Sequence, residues 1–266
     1  MIYTCFDMLR DCRAGKPEGW SYFVTHYVPV IRRLLAHYFP ERAGDGGRAG
    51  KVVTALCRPE SSLFQSLEAA PERVFVAELR QQVLAAVEKD SAGPAPALPL
   101  DLETLLAAIA PLTVVEKQAV WLETMGYNAA DTGRLLRMDP RTVDRVREKA
   151  ATLLRGSLDS WSLDLLAVNG PQLGRAAAAA GAAGCLPSKQ FLDLVDGRAT
   201  WEARTRVEHH SAQCLHCVDH WCRLLEAVDL LRGLAPLSPD EAAPFRALLG
   251  VEVKKPAGWK RMFGAR

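Results

Sequence analysis

The sequence predicts an all-α fold in three helical parts, and three observations carry that prediction. Apolar residues recur at helical spacing through the N-terminal third, as in Trp20, Phe23, Val24, Tyr27, Ile31, Leu34, Leu35 and Tyr38. Between 111 and 155, three short periodic segments are separated by Gly126 and by a turn at Arg137-Met138, and each opens on a capping residue. Towards the C-terminus, Cys185, His210, Cys214 and Cys217 fall in the spacing C-x24-H-x3-C-x2-C, with His210 and Cys214 one helical turn apart.

Bulk properties bound the reading. At 266 residues the chain has room for two or three domains, and 49% hydrophobic residues suffice to fill their cores. The net charge is only +2, so any affinity for nucleic acid must come from a local patch. The first residues carry charges too early for a secretory signal, and no run of about 18 apolar residues is present. A cytoplasmic protein without a membrane span is therefore expected. Seven cysteines in a chain of this length, three of them between Cys214 and Cys222, point to metal or redox chemistry rather than a disulfide framework.

The first domain is expected at 1–89. Its helix over 17–39 contains Pro29, which should kink or split it. After a Gly-rich loop, short helices are expected at 50–58 and 61–69. A longer one over 73–88 carries Phe75, Leu79, Val83, Leu84 and Val87 on its apolar face. Residues 90–100, rich in Pro, Ala and Gly, read as a linker.

The second domain is expected at 101–155, opening on Asp101 as a helix cap. Thr113 with Glu116 makes a capping box for the next helix, which Gly126 stops. Asn128 can cap the helix carrying Leu135 and Leu136. Asp139 caps the last one, with Pro140 at its first position. This is the grammar of a helix-turn-helix that presents its final helix to a DNA major groove. On that helix Val143, Val146, Ala150 and Leu153 share one face, and Arg141, Arg145 and Lys149 share the opposite one. A row of like charges at i, i+4 is mildly repulsive unless phosphates or base edges meet it. The alternative is a solvated outer face, relieved by Asp144 and Glu148.

Residues 156–184 read as a tether: the run Ala176–Ala180 can be helical but has no distinct faces, and Gly181 and Gly184 weaken a helix there. The third domain is expected at 185–232. One imidazole and three thiolates supply the four N/S ligands that a zinc tetrahedron takes. A helix over 188–195, an Asp196-Gly197 turn, a second helix capped by Thr200 and a third opening at Cys217 would bring Cys185, His210, Cys214 and Cys217 together. His209 is less suited, lying 100° from His210 around the helix. Cys222, His216 and His220 read as helix-face residues, with rescue or redox roles as the alternative. Cys5, Cys12 and Cys57 read as core or surface residues. Residues 233–266 are expected as a tail.

Leu112, Glu116-Lys117-Gln118, Gly126-Tyr127, Leu136, Thr142-Val143 and Leu154-Arg155 together resemble the C-terminal domain of bacterial sigma factors of the extracytoplasmic-function type. The stretch Tyr27-Val28-Pro29-Val30-Ile31-Arg32-Arg33-Leu34 is similar to the first conserved run of the sigma N-terminal domain. The third domain resembles the zinc-binding domain of anti-sigma factors, which share the His-x3-Cys-x2-Cys run and the Asp-Gly turn.

These resemblances imply two sigma-like helical domains followed by an anti-sigma-like one. They imply promoter DNA and the RNA polymerase core as partners, add Thr142 to the DNA-contacting set, and make the fused domain a regulator in cis. Docking of that domain on residues 17–155 is expected to weaken binding of DNA or polymerase. A second reading stays open, because 48–54 lacks the acidic pair with which the family holds polymerase. It is a DNA- or protein-binding regulator that kept this fold without promoter melting. No enzyme is expected: the sequence holds no phosphate loop and no nucleophile–base motif, and four protein ligands leave a metal no open position.

Overall fold

The computed structural model describes residues 3–40, 47–58, 61–65, 70–90, 101–181 and 183–251. Those residues form fifteen helices and no strand. In order they are α1 (Cys5–Arg13), α2 (Pro17–Tyr38), α3 (Arg48–Leu56), α4 (Ser62–Gln65), α5 (Glu72–Asp90), α6 (Leu102–Ala108), α7 (Val114–Thr124), α8 (Ala129–Leu136), α9 (Pro140–Ser157), α10 (Ser160–Val168), α11 (Gly170–Ala179), α12 (Ser188–Val195), α13 (Trp201–Ser211), α14 (Leu215–Leu231) and α15 (Pro239–Leu248). The expected linker at 90–100 lies, beyond Asp90, outside the described residues, as do 41–46 of the Gly-rich loop and 66–69 of the second short helix.

In the N-terminal part, α2 packs on α1, α3 and α5. Phe23, Tyr27 and Phe75 interlock at its centre, with the Tyr27 and Phe75 rings 4.8 Å apart and edge-on. Pro29 neither splits α2 nor leaves its hydrogen-bond gap open. A residue with an N–H at position 29 would donate to the carbonyl of Thr25, and here Leu237 N–H donates to that oxygen instead, at 2.9 Å. The stretch expected as a tail thereby joins the fold. Ser238 and Glu241 make a capping box, α15 follows, and Arg246 donates to Thr25 Oγ1. Residues 252–266 lie outside the described residues.

The segment 156–184, expected as a tether, folds into α10 and α11. α11 packs against α5 and α14, and its Gly170, Leu173, Gly174 and Ala177 are buried. Gly170 crosses the end of α7 so closely that a Cβ would stand 2.0 Å from Thr124 O, and one on Gly174 would stand 2.9 Å from Met125 Sδ. Small residues hold this helix by close approach, a mode of packing that leaves no apolar stripe in the sequence.

α14 is the central helix. Leu215, Val218, Trp221, Leu224 and Leu230 are buried on several of its sides, and it packs on α2, α5, α7, α8, α11, α12 and α13. Its buried polar residues meet others from the N-terminal helices and the helix-turn-helix. Glu226 accepts from Tyr38 on α2 and from Tyr127, at 2.7 and 2.6 Å, and pairs with Arg80 of α5 at 2.8 Å. Asp219 accepts from Trp121 Nε1 of α7 at 3.0 Å and pairs with Arg223 at 2.7 Å. Two guanidiniums and two carboxylates are thus buried together with no net charge, as burial of ions requires.

Candidate metal centre

Local sequence builds the centre from three helix ends. Pro187 leads into α12, and Gly197, at φ 71°, turns the chain back while Arg198 and Ala199 N–H groups both donate to Asp193 O. Thr200 then caps α13 through Ala203 N–H. His210 stands in the last turn of α13, Cys214 is the N-cap of α14, and Cys217 lies in the first turn of α14. α14 starts at Leu215, two residues before its expected start. Cys185 comes from the turn ahead of α12.

One donor atom from each of Cys185, His210, Cys214 and Cys217 lies within 4.8 Å of all the others, so the four could hold a metal ion. The Cys185 and Cys214 sulfurs are 3.8 Å apart, far beyond a disulfide bond. His210 Nε2 is buried and has no hydrogen-bond partner, which is costly for a polar atom unless a ligand meets it. Burial pushes the Cys217 thiol up to about 12, against the Leu186 N–H that favours its thiolate, and the nearby Cys214 and Cys185 sulfurs raise it further. One imidazole nitrogen and three sulfurs in such proximity make a donor set suited to a cation.

The neighbouring candidates have other work. His216 Nδ1 lies 2.9 and 3.1 Å from the carbonyls of Ala177 and Ala178, closing the end of α11, and its ring occupies the space that a Cβ on Gly181 would need. The His220 ring meets Phe191 edge-on at 5.2 Å, and burial pushes its imidazole down to about 3. Cys222 is buried, with Sγ 3.9 Å from Gln118 O. His209 is exposed. Cys5 and Cys12 are buried and Cys57 is half-buried, all with free thiols.

The helix-turn-helix has the expected caps. Thr113 and Glu116 complete the capping box of α7, Asn128 accepts from Asp131 N–H at the start of α8, and Asp139 accepts from Arg141 N–H at the start of α9. Arg137 makes the turn with a left-handed backbone, φ 56°. Val143, Val146 and Ala150 are buried, while Arg141, Arg145 and Lys149 are exposed and Thr142 is half-buried. Arg145 donates to Thr142 Oγ1 at 3.0 Å, and Lys149 pairs with Glu116 at 2.8 Å. Of the metal-site helices α14 packs on α7 and α8, and Arg141, Arg145 and Lys149 on α9 are exposed.

Sequence reading missed the residues that tie these two regions together. Lys117 of α7 donates to the carbonyl of Ala212 at 2.6 Å, in the turn between His210 and Cys214. Asp229, near the end of α14, accepts from Arg33 of α2 at 3.0 Å and pairs with Arg134 of α8. No spacing rule announces such contacts, which join residues about a hundred or more positions apart.

No protein-family model, no curated protein and no solved structure matches the chain. No described helix is long and apolar enough to cross a membrane.

Proposed function

We propose that the chain is a sigma-like transcription initiation factor. It engages promoter DNA through α9 and RNA polymerase core through its helical body, and it is controlled by a fused zinc-binding domain. The observation that carries this reading is the capped helix-turn-helix. It seats Val143, Val146 and Ala150 and leaves Arg141 and Arg145 open, with Lys149 beside them.

Zinc fits the four-residue centre. A tetrahedron with zinc–sulfur bonds of about 2.3 Å has a sulfur–sulfur edge of roughly 3.8 Å, the separation found for Cys185 and Cys214. The ion would be held by Cys185, His210, Cys214 and Cys217, and a closed set of four protein ligands gives it a structural role.

Control does not work by covering α9, whose cationic edge is free while α14 is packed. It works through α14, which joins the helix-turn-helix to the N-terminal helices and fixes how far apart the two can stand. Retention of the full chain on RNA polymerase core, followed by run-off transcription, tests the reading. The template is duplex DNA enriched from a random pool by the chain–polymerase mixture. The expected result is retention and discrete transcripts. DNA binding without retention on polymerase would instead favour the regulator that kept the fold and lost promoter melting, a reading supported by the absence of an acidic pair at 48–54.

A further inference from the structure

We propose that the groove between the helix-turn-helix and the metal-site helices is a docking site for an amphipathic helix of a partner protein, with carboxylates flanking a short apolar stripe. The groove encloses about 330 Å³. Its apolar lining residues come from both sides: Val115 and Leu135 from α7 and α8, Leu194 from α12, and Trp221, Leu225 and Val228 from α14. Val115 is 40% exposed there, a large hydrophobic side chain left in water. The space is roughly what the leading side chains of an i, i+3, i+7 stripe fill.

The rim sets the charge of the occupant. Arg134, Arg137, Arg204 and Arg232 surround the groove, all exposed. The two carboxylates beside them already have partners: Asp229 takes Arg33 and Arg134, and Glu208 lies 3.9 Å from Arg204. Among the described residues no carboxylate pairs with Arg137 or Arg232. A carboxylate-bearing helix would meet guanidiniums in the geometry they bind best, while its apolar face covers the apolar lining.

Two other occupants fit less well. Nucleic acid would satisfy the guanidiniums but leave the Leu, Val and Trp lining wet. The chain's own residues 252–266 carry Lys254, Lys255, Lys260, Arg261 and Arg266 against Glu252, the wrong sign for this rim. Because both walls are needed, an occupant would bridge the two parts and hold them together. Such docking does not require that α9 read DNA.

The test uses the full chain and two labelled synthetic helical peptides with the same leucine stripe, one flanked by Glu and the other by Lys. The Glu peptide should bind at least about tenfold more tightly than the Lys peptide at low salt, with the gap narrowing as salt rises. The Arg204→Glu, Arg232→Glu double variant changes two exposed residues, and circular dichroism checks that it stays folded. It should invert the preference, and Val115→Glu should weaken both peptides. Equal binding, absence of binding, or an unchanged preference in the double variant would overturn the proposal. Self-association of the wild-type chain that the double variant loses, with neither peptide bound, would assign the groove to a second copy and overturn it too. Loss of duplex DNA affinity in that variant, with neither peptide bound, would assign the groove to nucleic acid and likewise overturn the proposal.

Discussion

Arg141 and Arg145 stand one turn apart on the exposed edge of α9, and Lys149 continues the row but is held by Glu116 at 2.8 Å. DNA bound at α9 would have to compete with that ion pair for Lys149, which would leave the two arginines as the cations most available to phosphate. Changing both to Ala should weaken duplex binding and reduce the log–log salt slope by about 0.9 for each phosphate no longer neutralised. Fluorescence anisotropy across a salt series checks this, and an unchanged slope would make the row a solvated face. At this scale much was legible in advance. Thr113, Asn128 and Asp139 cap the helices expected of them because a cap is decided within three or four residues. The backbone of Arg137 was not legible. Its left-handed conformation costs roughly 1–2 kcal/mol for a side chain of this kind. It closes α8 as a C-cap, with the Arg137 and Met138 N–H groups both donating to Gly133 O, and it brings Met138 O to 2.7 Å from where a Cβ on Gly133 would stand.

Among the elements, the metal-site hairpin was readable and the helix leading into it was not. The spacing of Cys185, His210, Cys214 and Cys217, with an Asp-Gly turn between two capped helices, fixes where chain ends must meet. Residues 170–179 carry a glycine pair and an alanine run, and packing by close approach leaves no apolar periodicity to read. α15 was missed for a related reason. Its anchor is the carbonyl released by Pro29, more than two hundred positions away in the chain. α12, α13 and the start of α14 converge on the four candidate ligands, so a metal bound there would contribute to their folding energy. The chain prepared without chelator should carry one zinc. Cys214→Ser should lose it and raise the hydrogen-exchange rates of 185–231. Elemental analysis finding no zinc in the unmodified protein would rule out the metal, and full retention in the variant would remove Cys214 from the ligand set.

Across the whole molecule, α14 brings the three parts to one polar centre. Arg80 from the N-terminal helices, Trp121 and Tyr127 from the helix-turn-helix, and Asp219, Arg223 and Glu226 from α14 are all buried. Polar residues scattered over nearly a hundred and fifty positions carry no periodic signal, so the sequence did not announce this centre. Arg80→Ala would leave Asp219 and Glu226 with an uncompensated charge and should cost roughly 3–5 kcal/mol in denaturant unfolding. A loss typical of surface sites, within about 0.5 kcal/mol, would show that Arg80 is not a bridge. It also follows that a chain ending near Arg155 would leave Arg80 without its carboxylates, so such a fragment is a poor stand-in for the undocked protein. A metal-held unit and the other two parts are expected to fold as one body. Thermal unfolding of the full chain, zinc-loaded and chelator-stripped, followed by far-ultraviolet circular dichroism, tests it most directly. A single transition is expected, moving to lower temperature as a whole when the metal is removed. Two separate transitions, with only a minor one responding to zinc, would contradict it.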